Sequence, residues 1–288
     1  MSYTLVKNSM VDEKHRQGYN QLATATFRLY FDNWYNSGYF DGSHIPYTLF
    51  DGDKAVANIS VNLMDVVLDG KTRKYIQLGT VMTDKDYRGK GLQKYIFNQI
   101  MEDFSGKYDA MFLFANKNVL EFYPKLGFVK DVEYTFTKTI KGKGAEVKKL
   151  DMANSTDVQL FKKLYDGGNP FADFTVINGF ALEMFYLTGP YKNNVYYIPQ
   201  YDAVVVMEKD EKSVTLLDIY CGADKNLDDI LSTLTDGETT ISLGFTPKDK
   251  ENYTVQRLND EDTTLFIHKD GENIFSDRQL LFPLIAHT

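Results

Sequence analysis

The chain of 288 residues holds a single cysteine, Cys221. That excludes an internal disulfide framework and fits a reducing compartment, so a cytoplasmic protein is expected. No run of about 18 apolar residues occurs, and none is expected to cross a membrane. The stretch Met1–Lys14 lacks the apolar core of a signal peptide. Histidine is scarce: His15, His44, His268 and His287 fall at no metal-ligand spacing, so no metal is expected. A surplus of positive charge is also missing. The net charge is −8, which argues against nucleic acid as a partner for the whole chain.

Aromatic residues are abundant instead, with 20 Tyr and 20 Phe, which favours strands and aromatic-lined pockets. Charge is unevenly spread. Residues 1–145 carry 19 Lys+Arg against 16 Asp+Glu, while residues 146–288 carry 13 against 24. The basic half is also the half with a candidate anion loop. Val81-Met82-Thr83-Asp84-Lys85-Asp86-Tyr87-Arg88-Gly89-Lys90-Gly91-Leu92 reads as a strand, a polar turn, a Gly-rich loop and a helix start. Such a start aims unpaired N–H groups and the positive dipole end at one point, where phosphate can bind.

Periodicity predicts a helix over residues 12–36, with Phe27, Tyr30, Phe31 and Trp34 on one face. Strands are predicted over 47–50, 55–68 and 74–82, separated by Asp51-Gly52 and Asp69-Gly70 turns. A helix over 92–104, a strand over 109–114, a short helix over 118–126 and a strand over 128–139 follow. Lys141-Gly142-Lys143-Gly144-Ala145 reads as a linker. The second half repeats the order more faintly: helices at 157–165, 179–186 and 227–234, strands at 196–199, 203–208, 213–220, 240–243, 253–257 and 264–268. The expected fold class is α/β with a mixed sheet flanked by helices, duplicated as a domain over 1–141 and another over 146–288.

Two signatures in the first half resemble those of the GNAT N-acetyltransferase superfamily. Its phosphate loop follows Arg/Gln-x-x-Gly-x-Gly/Ala; here Arg88 and Gly91 match, and Gln93 stands where the family usually has Gly or Ala. Downstream, Asn116, Tyr123 and Leu126-Gly127-Phe128 are similar to the family's Asn, Tyr, Gly-Phe signature. The resemblance covers roughly residues 1–140. It implies acetyl-CoA as co-substrate, with the pantetheine arm along Val81, Met82 and Thr83 and contacted by Asn116. The pyrophosphate would lie at Arg88, Gly89, Lys90, Gly91, Leu92, Gln93 and Lys94, with Lys117 also near its charge. Tyr123 would be the general acid, since a phenol stays protonated at neutral pH.

The general base is not legible. Asp84 and Asp86 read as turn-capping residues, and His44, in Gly-Ser-His-Ile-Pro, reads as a surface-loop histidine or one facing the acceptor. A longer branch of the superfamily, named for enhanced intracellular survival, also pairs such domains and places its chain terminus in the active site. The apolar run Phe282–Thr288 is therefore expected to dock, with His287 or a terminal carboxylate near the acceptor. Tyr35, Tyr39 and Phe40, with the aromatic stripe, are either core or acceptor-pocket lining suited to a cationic amine. In the second half, Cys221-Gly222-Ala223-Asp224 replaces the phosphate loop, and Asp224 reads as a helix cap that would repel phosphate. That half is expected to bind no cofactor and to cover the cleft or mediate assembly. The acceptor is a small-molecule or peptide amine, and a homodimer stays open. The alternative is a non-catalytic acyl-CoA-binding sensor.

Overall fold

The computed structural model describes residues 3–288. In chain order the elements are β1 (Thr4–Lys7), α1 (Glu13–Phe27), α2 (Asp32–Asn36), β2 (His44–Asp51), β3 (Lys54–Leu68), β4 (Lys71–Thr83), α3 (Leu92–Phe104), β5 (Ala110–Ala115), β6 (Phe128–Lys130) and β7 (Tyr134–Lys143). They continue with β8 (Lys148–Lys149), α4 (Ser155–Tyr165), β9 (Phe174–Val176), α5 (Phe180–Thr188), β10 (Val195–Ile198), β11 (Ala203–Lys209), β12 (Ser213–Tyr220), α6 (Leu227–Thr233), β13 (Asp236–Leu243), β14 (Thr254–Arg257) and β15 (Thr264–His268).

Two mixed sheets form. The first runs β1-β2-β3-β4-β5-β15-β6, with β9 beside the end of β3; the second runs β14-β7-β13-β12-β11-β10-β8. Each has one parallel pair, β4–β5 in the first and β12–β13 in the second, among antiparallel neighbours. The shared pattern accords with duplication of one fold. The long β3–β4 hairpin closes on Asp69 and Gly70, both at positive φ (54° and 69°), the backbone that a tight primed turn requires. Helix α3 buries Leu92, Ile96, Phe97 and Ile100 on the sheet beside Ile76, Leu78 and Leu113. The opposite face is covered by α1, α5 and the segment 280–288.

The sheets exchange strands. The expected strand over 128–139 is two strands, β6 in the first sheet and β7 in the second. Lys141–Lys143 is not a linker but the end of β7, paired with Asp236–Glu238 of β13. The place beside β5 is taken by β15, whose five residues Thr264–His268 are all buried. A strand covered on both faces belongs in a sheet interior. By contrast, β7 is mostly half-exposed or exposed. Glu133 marks the crossing: it is buried between β6 and β7, and its carboxyl Oε1 accepts the Phe282 N–H at 2.8 Å.

Three other expectations change. The helix over 12–36 ends at Phe27, because Arg28 turns left-handed at φ 58°, and resumes as α2. Phe31 and Trp34 are consequently buried, whereas Phe27 and Tyr30 are exposed. The helix over 118–126 is a series of turns ending in one 3₁₀ turn, Tyr123–Leu126. Pro124 lacks an N–H and clashes with the carbonyl four residues back, so i→i+3 bonds such as Phe122 N–H to Val119 C=O replace the α-helix. Finally, α6 is capped by Asn226, whose side chain accepts from Asp229 N–H, and not by Asp224.

Candidate active site

The site begins with an irregularity in β4. Ser60 pairs with Gly79 and Asn58 with Met82, so one extra residue sits in β4 between them, a bulge at Thr80–Val81 with Thr80 at φ 42°. Past it, Asp84 N–H donates to Val56 C=O at 2.9 Å. Antiparallel ladders alternate, so Met82 and Asn58 also form a hydrogen-bonded pair. Thr83 then directs its N–H and C=O away from β3. On that side β4 pairs with β5 only over Tyr75–Leu78; beyond, the strands part. An open backbone edge at Val81 and Thr83 thus faces a gap. The Met82 side chain points elsewhere, into a core with Tyr19 and Phe50.

The loop after β4 turns over Lys85–Tyr87, capped by the Asp84 carboxylate accepting from Asp86 N–H. Gly89 and Gly91 adopt φ 74° and 75° with open space around their Cα atoms, so backbone conformation and not crowding selects glycine. Gly91 precedes α3, and among the described residues no side chain caps the helix. Its first N–H groups stay open to an anion. Arg88, Lys90 and Lys94 are exposed around it. Lys90 Nζ lies 4.4 Å from the Tyr87 ring centre, which the Tyr87 hydroxyl fixes by donating to Asp51 at 2.8 Å.

Gln93 turns under the helix. Its Nε2 donates to Met82 C=O at 2.5 Å, Thr83 Oγ1 at 2.8 Å and Asn58 C=O at 3.3 Å. The larger residue therefore clamps α3 to β3 and β4 and leaves the loop mouth free. Asn116 lies across the gap, half-buried, with its Oδ1 accepting Asn118 N–H at 3.0 Å. Lys117 is exposed and 3.8 Å from Asp262.

Tyr123 is 6% exposed, packed against Phe122, Phe128 and Phe266 of β15, with centroids 5.2, 6.1 and 5.7 Å away. Burial pushes its phenol up to about 12, so it holds its proton through the neutral range.

The other face of β4 carries groups that the sequence reading placed differently or missed. His44 is 6% exposed and buried at the start of β2, not in a surface loop. Its Nδ1 lies 2.7 Å from Asn62 Oδ1 and its Nε2 3.0 Å from the Tyr19 hydroxyl. Burial lowers it to about 4 against the raising effect of the Asn62 bond, so it is neutral. Tyr19, Asn58, Ser60, Asn62 and Thr80 complete this patch. A signal was present: Asn58, Ser60 and Asn62 alternate along β3, which ordinarily marks a solvent-facing side, yet all three are buried. Phe31, Trp34 and Phe185 close over it, and Trp34 Nε1–H donates to Ala181 C=O at 2.7 Å. Tyr39 and Phe40 pack at its edge. A cavity of about 20 Å³ remains beside Trp34, His44, Asn62 and Leu182, and no carboxylate lines it.

The apolar run Phe282–Thr288 is docked on this face. His287 stacks on Phe114 at 3.8 Å and is held at about 4 by burial. Tyr186 donates to its carbonyl at 2.5 Å. Thr288 Oγ1 accepts from Asn62 Nδ2 at 3.0 Å and lies so close to Gly79 that a Cβ there would meet it at 2.5 Å. Asp86 is exposed in the loop. In the second half, Asp224 pairs with Lys225 at 2.7 Å where the first half has its open helix start.

Residues 11–130 match the family model described as Acetyltransferase (GNAT) domain. No curated protein matches the chain. Among solved structures, a probable N-acyltransferase of unknown function from Enterococcus faecalis has 15% identity and a TM-score of 0.60, over 93% of this chain and 72% of that one. Eis1 from Mycobacterium abscessus has 15% identity and a TM-score of 0.56, over 92% and 73%. A GCN5-related N-acetyltransferase from Kribbella flavida has 12% identity and a TM-score of 0.54, over 92% and 70%. At these identities the likeness is one of fold, and it extends through both sheets, in keeping with tandem GNAT-like domains.

Proposed function

We propose that the protein moves an acetyl group from acetyl-CoA to a primary amine by direct attack, a reading supported by the match of residues 11–130 to the Acetyltransferase (GNAT) domain model. One observation carries this reading: the open β4 edge at Val81 and Thr83 is followed, across the loop that turns at Lys85–Tyr87, by an uncapped helix start at Gly91. A long ligand with amides at one end and a pyrophosphate at the other suits such a track. The co-substrate supplies an activated acetyl thioester. Val81 and Thr83 hold its amide-bearing arm and Asn116 borders it. Gly89, Gly91 and the first N–H groups of Leu92, Gln93 and Lys94 receive phosphate, with Arg88 and Lys90 adding charge. Tyr123 gives its proton to the departing sulfur.

The second half has no such track: Asp224 and Lys225 pair at the corresponding helix entrance. It serves instead to close the acceptor side through α5. The acceptor is a small-molecule or peptide amine, and aromatic walls without a carboxylate suit a single amino group on an apolar body. The closed state of that side, with about 20 Å³ left, is the observation that favours the second reading, an acyl-CoA-binding sensor. The deciding experiment follows thiol release from acetyl-CoA over a panel of primary amines. Turnover with any of them supports the enzyme. Cofactor binding without turnover supports the sensor.

A further inference from the structure

Helix α5 lies between the two sheets. Ala181, Leu182 and Phe185 turn to the first, where Phe185 stacks on Phe31 at 5.2 Å and Leu182 lines the small cavity beside His44. Phe180, Met184 and Leu187 turn to the second and pack with Val204, Val206 and Leu217. Glu183 brings an ionisable group into that apolar contact. It is buried, and its two oxygens lie 2.5 and 2.6 Å from the Tyr220 hydroxyl of β12. The same hydroxyl lies 3.0 Å from Asp218 Oδ2. Asp218 Oδ1 accepts from Asn169 Nδ2 at 2.6 Å and from Ile219 N–H at 2.8 Å.

Two carboxyl groups thus converge on a phenol that has one proton to give. With both ionised, two negative charges share the site, and no lysine or arginine among the described residues offsets either. One further proton on the pair removes the excess charge. The titratable groups facing Glu183 are Asp218 and Tyr220 from β12 and Tyr165 from α4, and burial keeps both phenols protonated. On its other side α5 meets only neutral partners: Trp34 Nε1–H donates to Ala181 C=O, and the His287 carbonyl accepts from Tyr186.

We propose that Glu183, Asp218 and Tyr220 form a proton-held clasp: one proton shared by the two carboxyls keeps α5 seated, and its release frees the helix to uncover the His44 patch. The inference rests on the acetyltransferase reading above, in which the acceptor enters at that patch. Glycine stands at each end of the helix, Gly179 before it and Gly189 after it. To clear the patch α5 must turn or slide, and either movement breaks its contact with β12. Asp218 is half-buried, which gives the proton a route to solvent. Burial raises both carboxyls, and the Asp218 charge raises Glu183 further. The folded state therefore keeps a proton that the unfolded chain releases in the ordinary carboxyl range. The clasp is at full strength below that range and weakens as pH rises through the raised values. An amine acceptor sheds its own proton in the same direction, so access and reactivity increase together.

Two measurements on the full chain test the clasp whether or not any amine is acetylated. Hydrogen exchange of the α5 amides, corrected for intrinsic base catalysis, should quicken about tenfold or more relative to α3 between about pH 5.5 and 8.5. Trp34, the one tryptophan in the chain, touches Phe185 at 5.6 Å, and its emission should shift to the red over the same range. His44, held at about 4 by burial, does not titrate there. Glu183→Gln, neutral at every pH, should lose both responses. Asp218→Asn, which leaves one carboxyl for the one hydroxyl, should shrink them. No response in the wild type, or one shared equally by α3, overturns the clasp. So does an undiminished response in either variant, which would place the titration elsewhere, as at Glu133.

Discussion

The ring of Phe266, on β15, packs 5.7 Å from the ring of Tyr123, although the two lie in opposite halves of the sequence. The proposed acid is thus held by a strand that the second half contributes. Phe266 is 2% exposed. Phe266→Ala should cost about 3–5 kcal/mol of stability as a buried cavity. Phe266→Leu should cost less and still lower turnover by freeing the Tyr123 ring. Denaturant unfolding and steady-state kinetics on the two variants separate the effects. Tyr123→Phe should lower turnover by about a hundredfold or more while cofactor affinity stays within twofold. An equal loss in both would remove Tyr123 from the role of acid.

Gly91→Ala tests the anion cradle. At φ 75° an L-residue pays about 1–2 kcal/mol, and a relaxed backbone would no longer converge its N–H groups. Weaker binding of CoA, by tenfold or more in calorimetry, is expected, with little loss for dephosphorylated pantetheine. A uniform loss for both ligands would place the effect elsewhere.

Glu133 should make stability depend on pH. Burial raises its carboxyl to about 8, opposed by the Phe282 N–H bond. The folded state then keeps a proton that the unfolded chain has lost above its ordinary value of 4.5. The contribution is full below that value and is lost as pH rises toward 8. Glu133→Gln keeps the neutral form and the acceptor oxygen. Its melting temperature should fall less than that of the wild type between pH 5 and 8; parallel curves would contradict the assignment.

Gln77 is fully buried on β4, and neither its Oε1 nor its Nε2 has a partner among the described residues. Leaving polar groups unpaired costs about 1–3 kcal/mol each. Gln77→Met, similar in shape, should therefore raise stability by about 1 kcal/mol or more, read as a higher melting temperature. A drop in stability would mean that a bound water pairs the amide.

Much of the chain is legible from local physics. Asp69-Gly70 dictates a hairpin because both residues tolerate positive φ. The Leu92–Phe104 periodicity dictates a helix on the sheet, and Gly89 and Gly91 dictate a loop that backbone sterics allow to few other residues. These features depend on neighbours in sequence, and so do the two signatures around Arg88 and Tyr123. Long-range pairing is not legible in this way. Nothing near Thr264–His268 says that it enters the first sheet, and nothing near Tyr134–Lys143 says that it leaves for the second. Which edge a strand joins depends on which faces the rest of the chain can cover. The polar alternation of Asn58, Ser60 and Asn62 fits a wet surface equally well. Only when α1, α5 and the segment 280–288 close over that face must those groups pair with one another and with His44. Residues adjacent in sequence thus set where an anion and an acyl donor would lie, because turn and helix-start geometry is local. What faces them follows from packing between distant segments, because burial and polar pairing are properties of the whole fold.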